Sequence, residues 1–182
     1  MDNHKISFAM KKSKSDEWYT PEIAVLPVVK YLKPKSKIWC PFDINESNFV
    51  KVLAKYDFDV INTHIKNGQD FFETDIECDY IISNPPYSYR NNVLSKLFKL
   101  KIPFMMLMNT NGLFDSNIRW ELFKNNNFSL IYLRGRTSFF QEYGIKQTTS
   151  PPFQSAYICS GISDKQIIFD ERESDEIKFD FA

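Results

Sequence analysis

Short apolar runs alternate with amphipathic stripes along the middle of this 182-residue chain, and that alternation narrows the possible folds more than any other feature. Lys37-Ile38-Trp39-Cys40 is an apolar run of strand length that stops at Pro41. Phe58-Asp59-Val60-Ile61, Asp79-Tyr80-Ile81-Ile82-Ser83 and residues 104–108, 129–133 and 156–159 are further runs of this kind. The run 104–108 is apolar throughout, as a strand covered on both faces requires. Between the runs, residues 47–56 place Phe49, Val50, Leu53 and Ala54 on one helical face. Residues 92–100 do the same with Val93, Leu94, Leu97, Phe98 and Leu100, and residues 118–123 fit a further helix. Residues 21–32 read as an opening helix, with Thr20 as its N-cap, Pro21 at the first helical position and a bend at Pro27. Strand, helix and strand in repetition predict an α/β fold: an open, mostly parallel sheet flanked by helices.

Composition limits what such a domain can do. A hydrophobic fraction of 43% is enough to build a core and excludes a wholly disordered chain. No apolar run approaches the roughly 20 residues of a membrane span, and residues 1–15 lack the apolar centre of a secretory leader. A cytoplasmic protein with no membrane partner is expected. Cys40, Cys78 and Cys159 are odd in number and form no CxxC pair, so neither a disulfide framework nor a metal site is expected. His4 and His64 are the only histidines, and no GxSxG elbow accompanies them, which sets aside Ser-His-Asp hydrolysis. Lys+Arg and Asp+Glu both number 23, so the strongly basic footprint of an autonomous nucleic-acid binder is missing and any such contact must come from local patches. Charge is unevenly placed. Residues 1–14 carry four lysines against Asp2, and residues 163–182 carry seven acids against three bases. The chain divides into a flexible basic arm at 1–15, one domain at 16–162 and an acidic tail at 163–182, within which residues 166–169 are a candidate short strand.

In an open α/β sheet, ligands bind outside the carboxyl ends of the strands. The residues of interest therefore stand just after the apolar runs: Cys40-Pro41-Phe42-Asp43, Thr63-His64, Ser83-Asn84-Pro85-Pro86-Tyr87 and Asn109-Thr110-Asn111-Gly112. Asn84-Pro85-Pro86-Tyr87 is the most specific of these. Two prolines remove two backbone donors and fix φ, so the segment cannot continue a ladder. A rigid tip with carbonyls, an amide side chain and a ring remains. An amide oxygen and a backbone carbonyl can both accept from one NH2 group, and Tyr87 can stack on the ring that bears it.

Ser83-Asn84-Pro85-Pro86-Tyr87, following the strand Asp79-Tyr80-Ile81-Ile82, resembles motif IV of the amino-methyltransferases that use S-adenosylmethionine. The adenine-N6 DNA methyltransferases are the best-known members; others methylate cytosine N4, glutamine side chains or RNA adenine. Asp16-Glu17-Trp18-Tyr19-Thr20-Pro21 resembles the D-E-W-x-T-P opening of small phage-type adenine methyltransferases, where this segment lies against the cofactor. Cys40-Pro41-Phe42 resembles the E-P-F start of motif I. In the family that loop continues as x-G-x-G; here Ile44 and Glu46 stand where the glycines fall, and neither adopts φ > 0 cheaply. Asp43 or Glu46 then meets the methionine ammonium on another loop path, or cofactor binding is lost. The acid after the second strand is replaced by Thr63-His64. Asp70-Phe71-Phe72 matches the position whose acid and aromatic hold the cofactor's adenine, or is a short core strand.

The resemblance implies a Rossmann-like class I methyltransferase fold. It assigns catalysis to Asn84, Pro85, Pro86 and Tyr87. It assigns S-adenosylmethionine to Trp18, Tyr19, Thr20, Pro21, Cys40, Pro41, Phe42, Asp43, Asp70 and Phe71. The implied substrate is an exocyclic amine, adenine N6 in DNA first. The alternatives are an RNA or protein amino-methyltransferase, or an inactive protein-binding module on the same fold. DNA binding by the isolated chain should be weak, so a homodimer or a protein partner is expected to help. Arg134, Arg136, Lys146 and the lysines at 11–14 are candidate phosphate contacts, and residues 135–153 are the candidate substrate loop.

Overall fold

The computed structural model describes residues 19–140 and 153–171. Trp18, Tyr143, Lys146, the basic arm and the last eleven residues of the acidic tail lie outside them. Seven strands form one sheet: β1 (Lys37–Cys40), β2 (Asp59–Asn62), β3 (Tyr80–Ser83), β4 (Phe104–Asn109), β5 (Ser129–Leu133), β6 (Ser155–Ser160) and β7 (Ile167–Asp170). Their spatial order is β2-β1-β3-β4-β6-β5-β7. The pairings β1–β2, β1–β3, β3–β4 and β5–β7 are parallel, and β6 runs antiparallel to both β4 and β5. The candidate strand in the acidic tail thus extends the sheet by one strand beyond β5.

Successive residues of each strand feed opposite layers, as the two-residue strand period demands. Ile38 and Cys40 of β1, with Met105 and Leu107 of β4, pack under α1 (Glu22–Val25), the 3-10 turn Leu26–Tyr31 and α2 (Asn48–Lys55). Trp39, Phe104, Met106 and Met108 pack on the other face, under α3 (Arg90–Leu100) and α4 (Asn117–Asn125). Helices on both faces of a mostly parallel sheet make this a Rossmann-like α/β domain. Among the described residues no helix is long and apolar enough to cross a membrane.

Two local readings change. Thr20 does not cap the first helix: Pro21 holds the N-cap position with extended backbone and no side-chain cap, and Thr20 is engaged elsewhere. Pro27 does more than bend the helix. The α-helical turn gives way to 3-10 winding from Leu26, where a proline lacking its N–H is tolerated. Ser47 caps α2 by accepting from the Phe49 N–H at 3.2 Å.

Candidate active site

The chain leaves β1 to pair β2 on one side and β3 on the other, so the switch point lies between the carboxyl ends of β1 and β3. Asp43 and Asn84 stand there. Past the end of β1, Asp43 N–H donates to the Thr63 carbonyl (3.2 Å) and Asn62 Nδ2 donates to the Asp43 carbonyl (3.1 Å). Trp39 Nε1 donates to Thr63 Oγ1 (2.9 Å). The Asp43 carboxylate accepts from the hydroxyls of Ser47 and Ser83, which ties the β1 loop to the start of α2 and to the last residue of β3. Asp43 is 7% exposed, and burial pushes its carboxyl up to about 6, with the two serine hydroxyls pulling the other way.

This geometry decides how the loop manages without glycines. Among the described residues, left-handed backbone at non-glycine positions occurs only at Lys35, Asp57 and Lys101, so Ile44 and Glu46 are not forced into it. Ser47 N–H closes a turn onto the Ile44 carbonyl at 2.9 Å. The Asp43 carboxylate is buried and accepts from two hydroxyls inside the protein. In this structure the Asp43 side chain fastens the loop. Glu46 is exposed on the same turn.

Thr20 joins the entry segment to this point. Its carbonyl accepts from Asn48 Nδ2 (2.8 Å) and its hydroxyl accepts from Asn84 Nδ2 (3.2 Å). The second bond fixes the rotation of the Asn84 amide, and with it the direction of its carbonyl oxygen. Pro85 and Pro86 carry the chain from β3 into a 3-10 turn, Tyr87–Tyr89, that runs straight into α3. The Tyr87 ring meets Phe153 edge to face, with centroids 5.6 Å apart, and Phe153 lies 6.3 Å from Phe139. Tyr19 forms a two-bond antiparallel bridge with Phe140, both bonds at 2.9 Å. Phe140 and Phe153 thus sit against Tyr19 and Tyr87 respectively. Phe153 and Asn48 were not singled out by sequence; an aromatic ending a Pro-Pro pair and an asparagine opening a helix carry no signal of their own.

The remaining candidates divide. Asp70 is 6% exposed and caps its own turn by accepting from the Phe72 N–H at 2.9 Å. Phe71 is 2% exposed, with its ring packed against Trp39, Phe42 and Phe72, so only its backbone can face a ligand. His64 caps the 3-10 turn Ile65–Asn67 through Nδ1, which accepts from Lys66 N–H at 3.0 Å. Arg90 Nη1 donates to the carbonyls of Asn109 and Asn111, which lashes the β4 loop to the first turn of α3. Gly112 in that loop has φ of 60°, a left-handed backbone that favours glycine. Arg134 pairs with Glu171 at 2.8 Å on the open surface.

No protein-family model matches the sequence, and no curated protein matches it. Solved structures do. A protein described as the modification subunit of a type I restriction enzyme, from Vibrio vulnificus YJ016, superposes with a TM-score of 0.50 at 12% identity, covering 86% of this chain and 48% of that one. TrmN from Thermus thermophilus gives a TM-score of 0.41 at 12% identity, covering 76% of this chain and 47% of that one. The chain spans about half the length of the structures it matches. The first likeness, with the sheet described above, defines the class: a Rossmann-like α/β fold of the class I methyltransferase type.

Proposed function

We propose that this domain is an S-adenosylmethionine-dependent methyltransferase acting on an exocyclic amine, with adenine N6 in DNA as its substrate. The observation that carries the reading is Asn84 at the β3 tip, its amide braced by Thr20 and followed by a rigid Pro-Pro pair. The donor set around the switch point fits the cofactor. Asp70 and Phe72 would take the nucleobase edge. The Thr20-Pro21 entry and the Cys40-Pro41-Phe42 backbone would take the remainder, with Asp43 behind them as a brace. When bound, the cofactor supplies an electrophilic methyl group.

An exocyclic amine is a poor nucleophile because its lone pair is delocalised into the ring. Two acceptors, the Asn84 side-chain oxygen and the Pro85 carbonyl, would receive its two N–H groups and favour a tetrahedral nitrogen. The nitrogen so held would take that methyl group in exchange for the carbon–sulfur bond, and its surplus proton would leave to solvent. Positioning and preorganised dipoles supply the rate in such a site. In a duplex the target base must leave the stack, and Tyr87 offers the surface that receives it. Asn84→Ala should lower turnover at least tenfold while S-adenosylmethionine affinity stays within about threefold. The check is labelled-methyl transfer to DNA, RNA and protein, paired with calorimetry. Equal loss of turnover and affinity would contradict the assignment, and transfer to RNA or protein alone would move the substrate to that class.

A second reading has one observation in its favour: the glycine-free β1 loop with the Asp43 carboxylate sealed inward. On that reading the domain is an inactive partner-binding module. The absence of any calorimetric heat with S-adenosylmethionine would decide for it.

A further inference from the structure

We propose that Lys96 of α3 is the positioning residue for the nucleoside half of the cofactor, a role that rests on the methyltransferase reading above. The segment between the 3-10 turn Ile65–Asn67 and β3 has no helix or strand of its own, and it carries Asp70 and Phe72, which that reading sets against the nucleobase. An ammonium group has three N–H donors. Those of Lys96 reach the carbonyls of Phe71 (2.7 Å) and Thr74 (2.8 Å) and the carboxylate of Asp75 (2.8 Å). The turn therefore wraps around the ammonium; the Lys96 side chain is only 16% exposed and its Nζ lies 5.0 Å from the centre of the Phe71 ring. Charged donors make the stronger hydrogen bonds, and a cation over an aromatic face adds to them.

The arrangement has a direction. The Phe71 and Thr74 carbonyls point to Lys96, while on the same turn Asp70 receives the Phe72 N–H. Lys96 thus holds the turn from which, on the methyltransferase reading, Asp70 and Phe72 would meet the nucleobase. The residue belongs to the helix that begins just after Tyr87, so one rigid element sets the amine-binding tip at its start and the nucleoside-binding turn in its middle.

The test uses the full chain with Lys96→Met, which keeps the stem against the rings and removes the donors, and with Lys96→Arg, which keeps the charge. Asp75→Ala removes only the exposed partner and serves as the mild variant should Lys96→Met fail to fold. Calorimetry with S-adenosylmethionine and with adenosine should show Lys96→Met binding both roughly tenfold or more weakly, and Lys96→Arg and Asp75→Ala within about threefold of wild type. Hydrogen exchange should quicken at residues 71–76 in Lys96→Met and stay unchanged in β3, a local pattern that general destabilisation does not produce. Wild-type binding with unaltered affinity in Lys96→Met would overturn the positioning role and leave the methyltransferase reading standing. No binding by wild type to either probe would overturn both.

Discussion

Asp43 shows how one buried side chain can fasten a loop to two elements. The loop after β1 is held by a carboxylate with a hydroxyl on each side. That brace has a pH signature. The ordinary Asp value is 3.8, and burial raises this one to about 6, so the fold favours the neutral form. The contribution is fully present below about pH 4 and is lost as pH rises through about 6, a difference of about 3 kcal/mol. Asp43→Asn cannot ionise. Urea titrations between about pH 4 and 7 should therefore show wild type losing stability relative to Asp43→Asn as pH rises, and parallel curves would exclude the shift. At Tyr87 the methyltransferase proposal makes a separate prediction. Tyr87→Ala should weaken nucleic-acid binding by about 1–3 kcal/mol, whereas Tyr87→Phe should keep most of it, as fluorescence anisotropy would show. Sequence revealed these positions unevenly. Asn84-Pro85-Pro86-Tyr87 is legible because consecutive prolines at a strand end leave few alternatives. The engagement of Thr20 with Asn48 and Asn84 was hidden, because a threonine before a proline is also a good local cap and the tertiary partners that win lie 28 and 64 residues away.

At the level of elements, patterns bounded by hard stops were read most accurately. β1 covers the expected residues because Pro41 ends it, and β5 does so too. β2 begins one residue later than its apolar run, since Phe58 follows a left-handed Asp57 and packs in the core before pairing starts. The tail strand was visible as an apolar patch, but its anchor was not. Asp170, 5% exposed, accepts from the Tyr31 hydroxyl at 2.9 Å and pairs with Lys30 at 2.8 Å. Burial, with Asp170 beside it, pushes the Tyr31 phenol well above its usual range. β7 is thereby fastened to the 3-10 turn across the end of the sheet. Tyr31→Phe should cost about 1 kcal/mol and Asp170→Ala about 2 kcal/mol, the half-exposed Lys30 adding little. A double-mutant cycle by chemical denaturation measures the coupling; additive losses would mean that the two residues act independently.

For the whole molecule, equal numbers of acids and bases leave little long-range attraction for a polyanion. If two or three phosphates are contacted, DNA affinity should fall about 10- to 40-fold between about 50 and 200 mM salt and be micromolar or weaker under physiological conditions. Nanomolar binding by a proven monomer at that salt would contradict this. The pairing order of the strands could not be read from the sequence at all, because periodicity says which segments are strands and nothing about which neighbour each will find. The antiparallel place of β6, between β4 and β5, has a consequence for biosynthesis. It pairs six residues with β4 and four with β5, and without it the sheet is two separate pieces. β6 is also made late. From the end of β4 to the end of β6 a ribosome adds about 50 residues, which at about 5–20 residues per second takes roughly 3–10 s. Throughout that interval the apolar Phe104–Asn109 edge of the nascent chain awaits its neighbour. A chain stalled before residue 155 should therefore be a substrate for chaperones, while one released a few residues later should not.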